Sequence, residues 1–153
     1  MFEFPHLKDL LYQPTDLFET RELYSIEWNQ SKSGGIKLPR LSFLGDDTKG
    51  LITTANSMND KKILQYSNKV TIPETGVKSI SVRATDQWVR EISILGADET
   101  RIAHMATGCN EGSIMTATLD KDDEIVGMFG SMDNSMNLKS FGIIVYTAND
   151  ESD

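Results

Sequence analysis

The chain has 153 residues, a net charge of −8 and 39% hydrophobic residues, which fits one globular domain. Acidic residues dominate residues 77–153, with thirteen Asp/Glu against six Lys/Arg, whereas residues 1–76 have ten and nine. An acidic surface repels phosphate backbones and anionic lipids, and no apolar run approaches the roughly 20 residues that span a bilayer. We therefore expect neither nucleic-acid binding nor membrane insertion.

The N-terminal residues and the cysteine count bear on the cellular compartment. Residues 1–16 lack the basic, apolar and small-residue regions of a secretory signal. Cys109 is the single cysteine and cannot form an internal disulfide, as is usual in a reducing compartment. We predict a cytoplasmic protein, and a cytoskeletal or ciliary scaffold is compatible with this composition.

Residues 1–24 differ from the rest and are predicted to form a short helical or extended arm. Three leucines with i, i+3, i+4 spacing predict a short amphipathic helix that ends at Pro14, and a second is predicted after Thr15 with Leu17 and Leu23. Such short helices are unstable alone, so the arm must dock on the chain's own core or on a partner protein. The candidate partner-binding residues of this arm are Phe2, Phe4, Leu7, Leu10, Leu11 and Phe18.

Residues 25–149 are predicted to form an all-β domain, followed by the acidic tail 150–153. Short runs of β-forming residues recur every 8–14 residues with Gly, Asn, Asp and Ser between them, which is typical of a β-sandwich, barrel or prism. Pro39 interrupts the run IKLPRLSF, so that strand is expected at a sheet edge or with a bulge. VKSISVRA and WVREISIL alternate apolar and polar residues and are separated at hairpin distance.

Several groups of residues that suggest a metal site or a catalytic site do not meet the requirements of such sites. An EF-hand loop starting at Asp120 would have Ile125 where glycine is needed and Ser131 where glutamate is needed, so a polar turn is the better interpretation. With only two histidines, the chain offers almost no acid–base candidates, and pairing His104 with Cys109 would require a geometry that spacing cannot supply. We predict no enzymatic activity, catalytic residue, metal site or cofactor. Trp28 and Trp88 lie in β-runs, which favours core packing over a stacking role.

The segments GVKSISVRATDQWVREISIL, TGCNEGS, TLDKDDEIVGMFG and LKSFGIIVYT, in this order within residues 76–147, resemble the jacalin-like lectin family. The resemblance implies a β-prism of three antiparallel sheets, with a β-sandwich as the alternative. It also implies a sugar-binding loop before the last strand, where an aspartate accepts hydrogen bonds from sugar hydroxyls. Lys139 occupies the place of that aspartate and has no acceptor, so Asp133 would have to swing in from a long, flexible loop. The candidate ligand-binding residues are Gly130, Asp133, Asn137 and Lys139.

The same loop contains Met132 and Met136. Methionine is an adaptable residue that is frequent at protein-binding surfaces, so a protein contact and simple folding back are both open. The sequence as a whole favours a non-enzymatic protein-interaction module, a structural subunit of a larger intracellular assembly. The alternative is a carbohydrate-binding lectin that uses the Gly130–Lys139 loop.

Overall fold

The computed structural model describes residues 11–12, 22–30, 34–44, 51–53 and 66–147. Within these ranges the prediction of an all-β protein is confirmed. The strands are β1 (Leu11–Tyr12), β2 (Glu22–Trp28), β3 (Arg40–Leu44), β4 (Leu51–Thr53), β5 (Asn68–Thr71), β6 (Val77–Ala84), β7 (Val89–Gly96), β8 (Arg101–Ala106), β9 (Ser113–Thr118), β10 (Asp123–Met132) and β11 (Leu138–Thr147).

The described strands form three sheets. The strand orders are β1-β11-β10, β4-β3-β2-β5 and β8-β7-β6-β9. Neighbouring strands are antiparallel except for β1, which pairs in parallel with β11 through Leu11 opposite Ile143. None of the described residues forms a helix long and apolar enough to cross a membrane.

All three sheets bury apolar side chains in one core. Alternate residues of a strand point to opposite faces, so each strand places every second side chain inward. Ile26 and Phe43 come from the β2–β5 sheet, Ile80 and Ile92 from the β6–β9 sheet, and Ile143 from β11. Each of these five side chains is at most 2% exposed. Burial at about 25 cal/mol per Å² makes this shared core the main source of stability.

The predicted hairpin of β6 and β7 is confirmed. Its geometry also explains why Arg90 interrupts the alternation of apolar and polar residues in WVREISIL. Arg83 pairs with Glu91 and Ala84 with Val89, which leaves Arg90 as the additional residue of a bulge. Val89 and Ile92 can therefore both point into the core, although they do not share the same parity.

The helix predictions for Leu11 and Leu23 are wrong, and of the two alternatives for the Pro39 strand the edge position is not observed. Leu11 lies in strand β1 and not in a helix, and Leu23 lies in β2, where its side chain is buried. Pro39 directly precedes β3, and β3 is an interior strand between β2 and β4. The β2–β3 pair does contain a bulge, with Tyr24 of β2 as its additional residue. Because proline lies outside the paired residues, it removes no ladder hydrogen bond. The predictions for the remaining arm residues (Phe2, Phe4, Leu7, Leu10 and Phe18) and for the acidic tail lie outside the described residues.

Candidate functional site

The polar segment between β10 and β11 is a tight hairpin turn and not the long, flexible loop expected from the sequence. β10 extends to Met132 and β11 begins at Leu138. The Asp133 N–H donates to the Asn137 carbonyl (2.9 Å), and the Met136 N–H donates to the Asp133 carbonyl (3.0 Å). Met136 has φ 69°, as the last residue of a three-residue hairpin loop commonly does.

The Asp133 carboxylate holds this turn closed. Its Oδ1 accepts the backbone N–H groups of Ser135 (2.9 Å) and Asn137 (3.0 Å), and its Oδ2 accepts the indole N–H of Trp88 (3.0 Å) and the side-chain amide of Asn137 (3.2 Å). These bonds, first that from the Asn137 backbone and then that from Trp88, hold the pKa of Asp133 far below its usual range. Four donors fill the acceptor sites of a carboxylate, so Asp133 is engaged by its own turn and by Trp88.

A glycine pair brings a third segment of chain to the turn. The N–H of Ile36 donates to the Val89 carbonyl (2.9 Å), and the Ile36 carbonyl accepts the N–H of Leu138 (2.7 Å). Gly35 precedes Ile36 and lies so close to Trp88 that a Cβ atom on Gly35 would be 2.7 Å from the Trp88 Cβ. The glycine pair, which the sequence marked only as a turn, therefore allows the backbone to pack directly on a tryptophan.

The Trp88 side chain is the centre of this arrangement. The guanidinium of Arg90 lies over the Trp88 ring at 5.0 Å from its centroid and donates to the Gly34 carbonyl (2.7 Å), a cation–π contact. We call Gly34, Gly35, Trp88, Arg90, Asp133 and Asn137 the Trp88 cluster. Trp88 is half-buried there, whereas Trp28 is buried in the core as predicted.

The remaining candidate residues lie around the cluster or away from it. Gly130 lies opposite Phe141 in the β10–β11 ladder, where a Cβ atom would collide with the Ser140 carbonyl. Lys139 is exposed on β11 and is not a partner of the Asp133 carboxylate. The structure therefore joins Asp133 with Asn137 but does not join either with Lys139. Met132 packs against the core, so folding back is the observed alternative at this position.

The Asn137 side chain combines burial with an unused acceptor. It is 9% exposed, its amide nitrogen donates to Asp133, and its Oδ1 has no partner among the described residues. The Asn137 side chain faces Gly34, whose Cβ position would be 3.7 Å from this oxygen. The cluster thus contains one polar atom whose hydrogen-bonding capacity the described chain leaves open.

Replacing Met136 with glycine is expected to raise the free energy of unfolding by up to about 1 kcal/mol. A left-handed conformation costs a non-glycine residue about 1–2 kcal/mol, part of which glycine returns through its greater loss of entropy on folding. Urea unfolding measures the change. Asn134→Gly in the same turn is the control, since residue 134 has no positive φ, and it should lower stability. A loss of stability in Met136→Gly would mean that the methionine side-chain contacts outweigh the backbone strain.

Sequence reasoning missed a row of charged residues on the outer face of the β6–β9 sheet. Glu91 Oε2 lies 2.5 Å from His104 Nε2, and Glu91 Oε1 accepts from Arg83 Nε at 3.2 Å. Arg83 also donates to the Asn110 carbonyl (2.9 Å). Each residue lies on a different strand, so only the strand register could reveal the row. His104 is thus paired with Glu91, while Cys109 is a partly buried free cysteine.

The Glu91 row predicts acid sensitivity. The His104 hydrogen bond foremost, with those of Arg83, lowers the pKa of Glu91 although partial burial opposes this. A carboxyl with a depressed folded-state pKa stabilises the fold above its unfolded value of 4.5, and this contribution is lost as the pH falls through the folded-state value. Glu91→Gln should reduce stability at pH 7 and flatten the loss of stability below about pH 5. Urea midpoints at several pH values measure this, with exposed Glu74→Gln as the control. An unchanged pH slope in Glu91→Gln would contradict the linkage.

Next to this row, strand β9 forms one edge of its sheet. Among the described strands it pairs with β6 only. Its sequence, SIMTAT, contains no charged residue and no proline. Ile114 is 55% exposed, and Thr116, which shares a 2.9 Å hydroxyl contact with Ser81, is exposed on the same outer face. Between Ile114 and the Glu91 row lies a shallow cleft of about 280 Å³, lined by Ser81, Arg83, Glu91, Ser93, Leu95, Arg101 and Ile114.

Two further findings concern metal binding and similarity to known proteins. Among the described residues, no group of three or more His, Cys, Asp or Glu side chains is placed to hold a metal ion. Searches against protein-family models and curated protein sequences find no match to this chain.

Proposed function

We propose that this chain is a non-enzymatic protein-interaction module that serves as a structural subunit of a larger assembly. The observation that carries the proposal is the edge strand β9. An edge strand presents unpaired N–H and C=O groups, and soluble proteins usually protect such edges with lysine, proline, bulges or a covering segment. SIMTAT contains neither charge nor proline. A partner can add a strand there by main-chain hydrogen bonding.

The outer face beside β9 supplies side-chain contacts for such a partner. Ile114 offers exposed apolar area, and the cleft next to it is lined by charged residues and by two hydroxyl groups, those of Ser81 and Ser93. Main-chain pairing gives affinity in this mode of recognition, while pockets for alternate side chains give specificity. A strand that pairs with β9 would place every second side chain over this face.

The proposal also includes the finer fold, a jacalin-like β-prism, and the cellular compartment, the cytoplasm. Three mostly antiparallel sheets around one shared core support a jacalin-like β-prism over a β-sandwich, which has two packed sheets. The free, partly buried Cys109 supports a reducing compartment such as the cytoplasm.

Co-purification tests the proposed function. The tagged full-length protein is isolated from its own cells, its native mass is determined, and stoichiometric partners are identified by mass spectrometry. Thr116→Lys places a charge on the outer face of β9, while Thr100→Lys makes the same substitution in the exposed β7–β8 turn. We expect a partner that is retained by Thr100→Lys and lost by Thr116→Lys. A protein without any stoichiometric partner, or a partner indifferent to Thr116→Lys, would overturn the proposal.

A carbohydrate-binding function is a second candidate because of the Trp88 cluster. Lectin sites combine an aromatic ring, a close backbone segment and polar groups, and here the half-buried Trp88 ring, Gly35 and the polar turn of Asp133 and Asn137 lie together. Asp133 is an unsuitable ligand group because its acceptor sites are filled.

A glycan array with mannose, glucose and galactose ligands tests this second candidate. Asp133→Ala would open the turn and abolish binding for structural reasons, so it cannot identify the contact. Asn134→Ala alters only the exposed tip of the turn. Because Asn134 lies outside the Trp88 cluster, this variant is the control, and we expect its binding and its stability to equal those of the wild-type protein. Silence of the wild-type protein on the array would remove this candidate.

A further inference from the structure

We propose that an ordered water molecule is bound between the side chain of Asn137 and the backbone of Gly34, as a permanent part of the Trp88 cluster. The inference goes beyond the proposed function and does not depend on a partner at β9. Three features of the cluster support it: a buried oxygen without a donor, open space next to that oxygen, and backbone N–H groups without an acceptor.

The Asn137 carboxamide is held in one orientation by Asp133. Its nitrogen donates to Asp133 Oδ2 at 3.2 Å, and rotation by half a turn would place Oδ1 against this carboxylate, where two acceptors repel. Oδ1 therefore points away from Asp133, and it accepts no hydrogen bond from the described residues. The side chain is 9% exposed. A buried acceptor without a donor is costly, and native proteins usually satisfy it with a protein group or an ordered water.

The space for a water molecule lies over Gly34. A Cβ atom on Gly34 would have three side-chain atoms of Asn137 as its nearest neighbours, Oδ1 at 3.7 Å, Nδ2 at 3.8 Å and Cγ at 3.9 Å. These are ordinary van der Waals distances, so a methyl group would fit there. A water molecule is smaller than a methyl group and can lie closer to Oδ1, at hydrogen-bond distance. Because Asn137 is buried, a larger ligand could not reach the same oxygen.

The backbone of the glycine pair supplies a donor for the same water molecule. Within the part of the chain that the structure describes, neither Gly34 nor Gly35 donates its N–H to an acceptor. The Gly34 nitrogen is about 2.5 Å from its own Cβ position, and hence at most about 6 Å from Asn137 Oδ1. A water with two hydrogen bonds of about 2.9 Å bridges such a distance. It accepts from the glycine N–H and donates to Oδ1, which satisfies both groups.

The bound water adds a second link between the glycine pair and the β10–β11 turn. The first link is the bond from the Leu138 N–H to the Ile36 carbonyl (2.7 Å). The water is also coupled to Trp88, because the Asn137 amide and the indole N–H (3.0 Å) donate to the same oxygen of Asp133. Buried waters with several hydrogen bonds are costly to remove, so this water contributes to the stability of the turn.

A high-resolution crystal structure of the full-length protein is the direct test. We expect an ordered water at hydrogen-bond distance from Asn137 Oδ1, with a second bond to the N–H of Gly34 or Gly35. An Oδ1 that accepts from a protein group, or that has no water beside it, would overturn the proposal.

Two alanine variants measure the contribution of the water in solution. Gly34→Ala places a methyl group in the position of the water, whereas Gly76→Ala is the control because its Cβ atom would have no neighbour within 4 Å. The two glycines have φ of 76° and 80°, so the backbone strain of an alanine is similar at both. In urea unfolding, we expect the folding equilibrium constant of Gly34→Ala to fall about fivefold or more below that of Gly76→Ala. Equal losses would contradict a bound water.

A serine at the same position distinguishes a lost hydrogen bond from simple crowding. The hydroxyl group of Gly34→Ser can donate to Asn137 Oδ1, since its Cβ atom would be 3.7 Å from that oxygen, and this bond would replace that of the water. We expect Gly34→Ser to recover a large part of the stability lost in Gly34→Ala, while Gly76→Ser and Gly76→Ala remain alike. A Gly34→Ser variant no more stable than Gly34→Ala would mean that Oδ1 needs no donor, and the proposal would fall.

Discussion

Replacing Phe43 with alanine is expected to lower the free energy of unfolding by about 3–5 kcal/mol, the usual range for deleting a buried phenylalanine ring. Phe43 is 1% exposed and lies on β3, the interior strand between β2 and β4. Its ring contributes to the core that all three sheets share. Strands hydrogen-bonded on both sides hold their backbones in place, so the cavity left by the ring should collapse only partially.

Urea unfolding measures this effect, with an unchanged m-value as the sign that the denatured state is unaltered. Tyr24→Ala on the adjacent strand β2 is the control, since Tyr24 is 38% exposed and its loss should cost about 1 kcal/mol or less. Equal costs at the two positions would mean that the three sheets do not share a tightly packed core.

Gly35→Ala is expected to destabilise the protein by about 1–3 kcal/mol, the usual cost of overpacking. The new Cβ atom would be 2.7 Å from the Trp88 Cβ and 2.8 Å from its Cγ. Because the nearest atom is the Trp88 Cβ, rotation of the indole ring cannot relieve the contact. One of the two backbones must move, and with it the hydrogen bonds of Ile36 to Val89 and Leu138.

A double-mutant cycle with Trp88→Ala checks this reasoning. Truncating the ring removes Cγ but retains Cβ, so most of the cost of Gly35→Ala should persist in the Trp88→Ala background. Gly96→Ala is the control, since its new Cβ would be 3.2 Å from the flexible end of Ile102 and should cost less. Full relief by Trp88→Ala would show that the ring alone confines Gly35.

The regular part of the fold was predictable because it rests on local alternation. Ile80 and Val82 on β6 and Ile92 and Ile94 on β7 are buried as the period of two indicates. The strand pattern depends on side chains that are only two residues apart. The turn between β6 and β7 depends only on the local residues ATDQ.

The arm and the site were harder to predict because they depend on distant residues. The leucine spacing at residues 7–11 fits a helix by propensity, but Leu11 pairs with Ile143 of β11, a tertiary contact that overrides propensity. The role of Asp133 depends on Trp88 and on the glycine pair, which the fold brings from separate segments. The sequence indicates a polar loop at this position. It does not indicate that the Asp133 carboxylate accepts four hydrogen bonds within the protein.

The pairing of β1 with β11 has a consequence for how the protein folds during synthesis. The β2–β5 and β6–β9 sheets are each built from consecutive strands, so each can form as soon as its segment leaves the ribosome. The third sheet joins Leu11–Tyr12 to the Leu138–Thr147 strand. At about 5–20 residues per second, β1 must wait on the order of ten seconds for its neighbour. Such non-local pairing is slow, and closure of this sheet should be the final, rate-limiting event of co-translational folding.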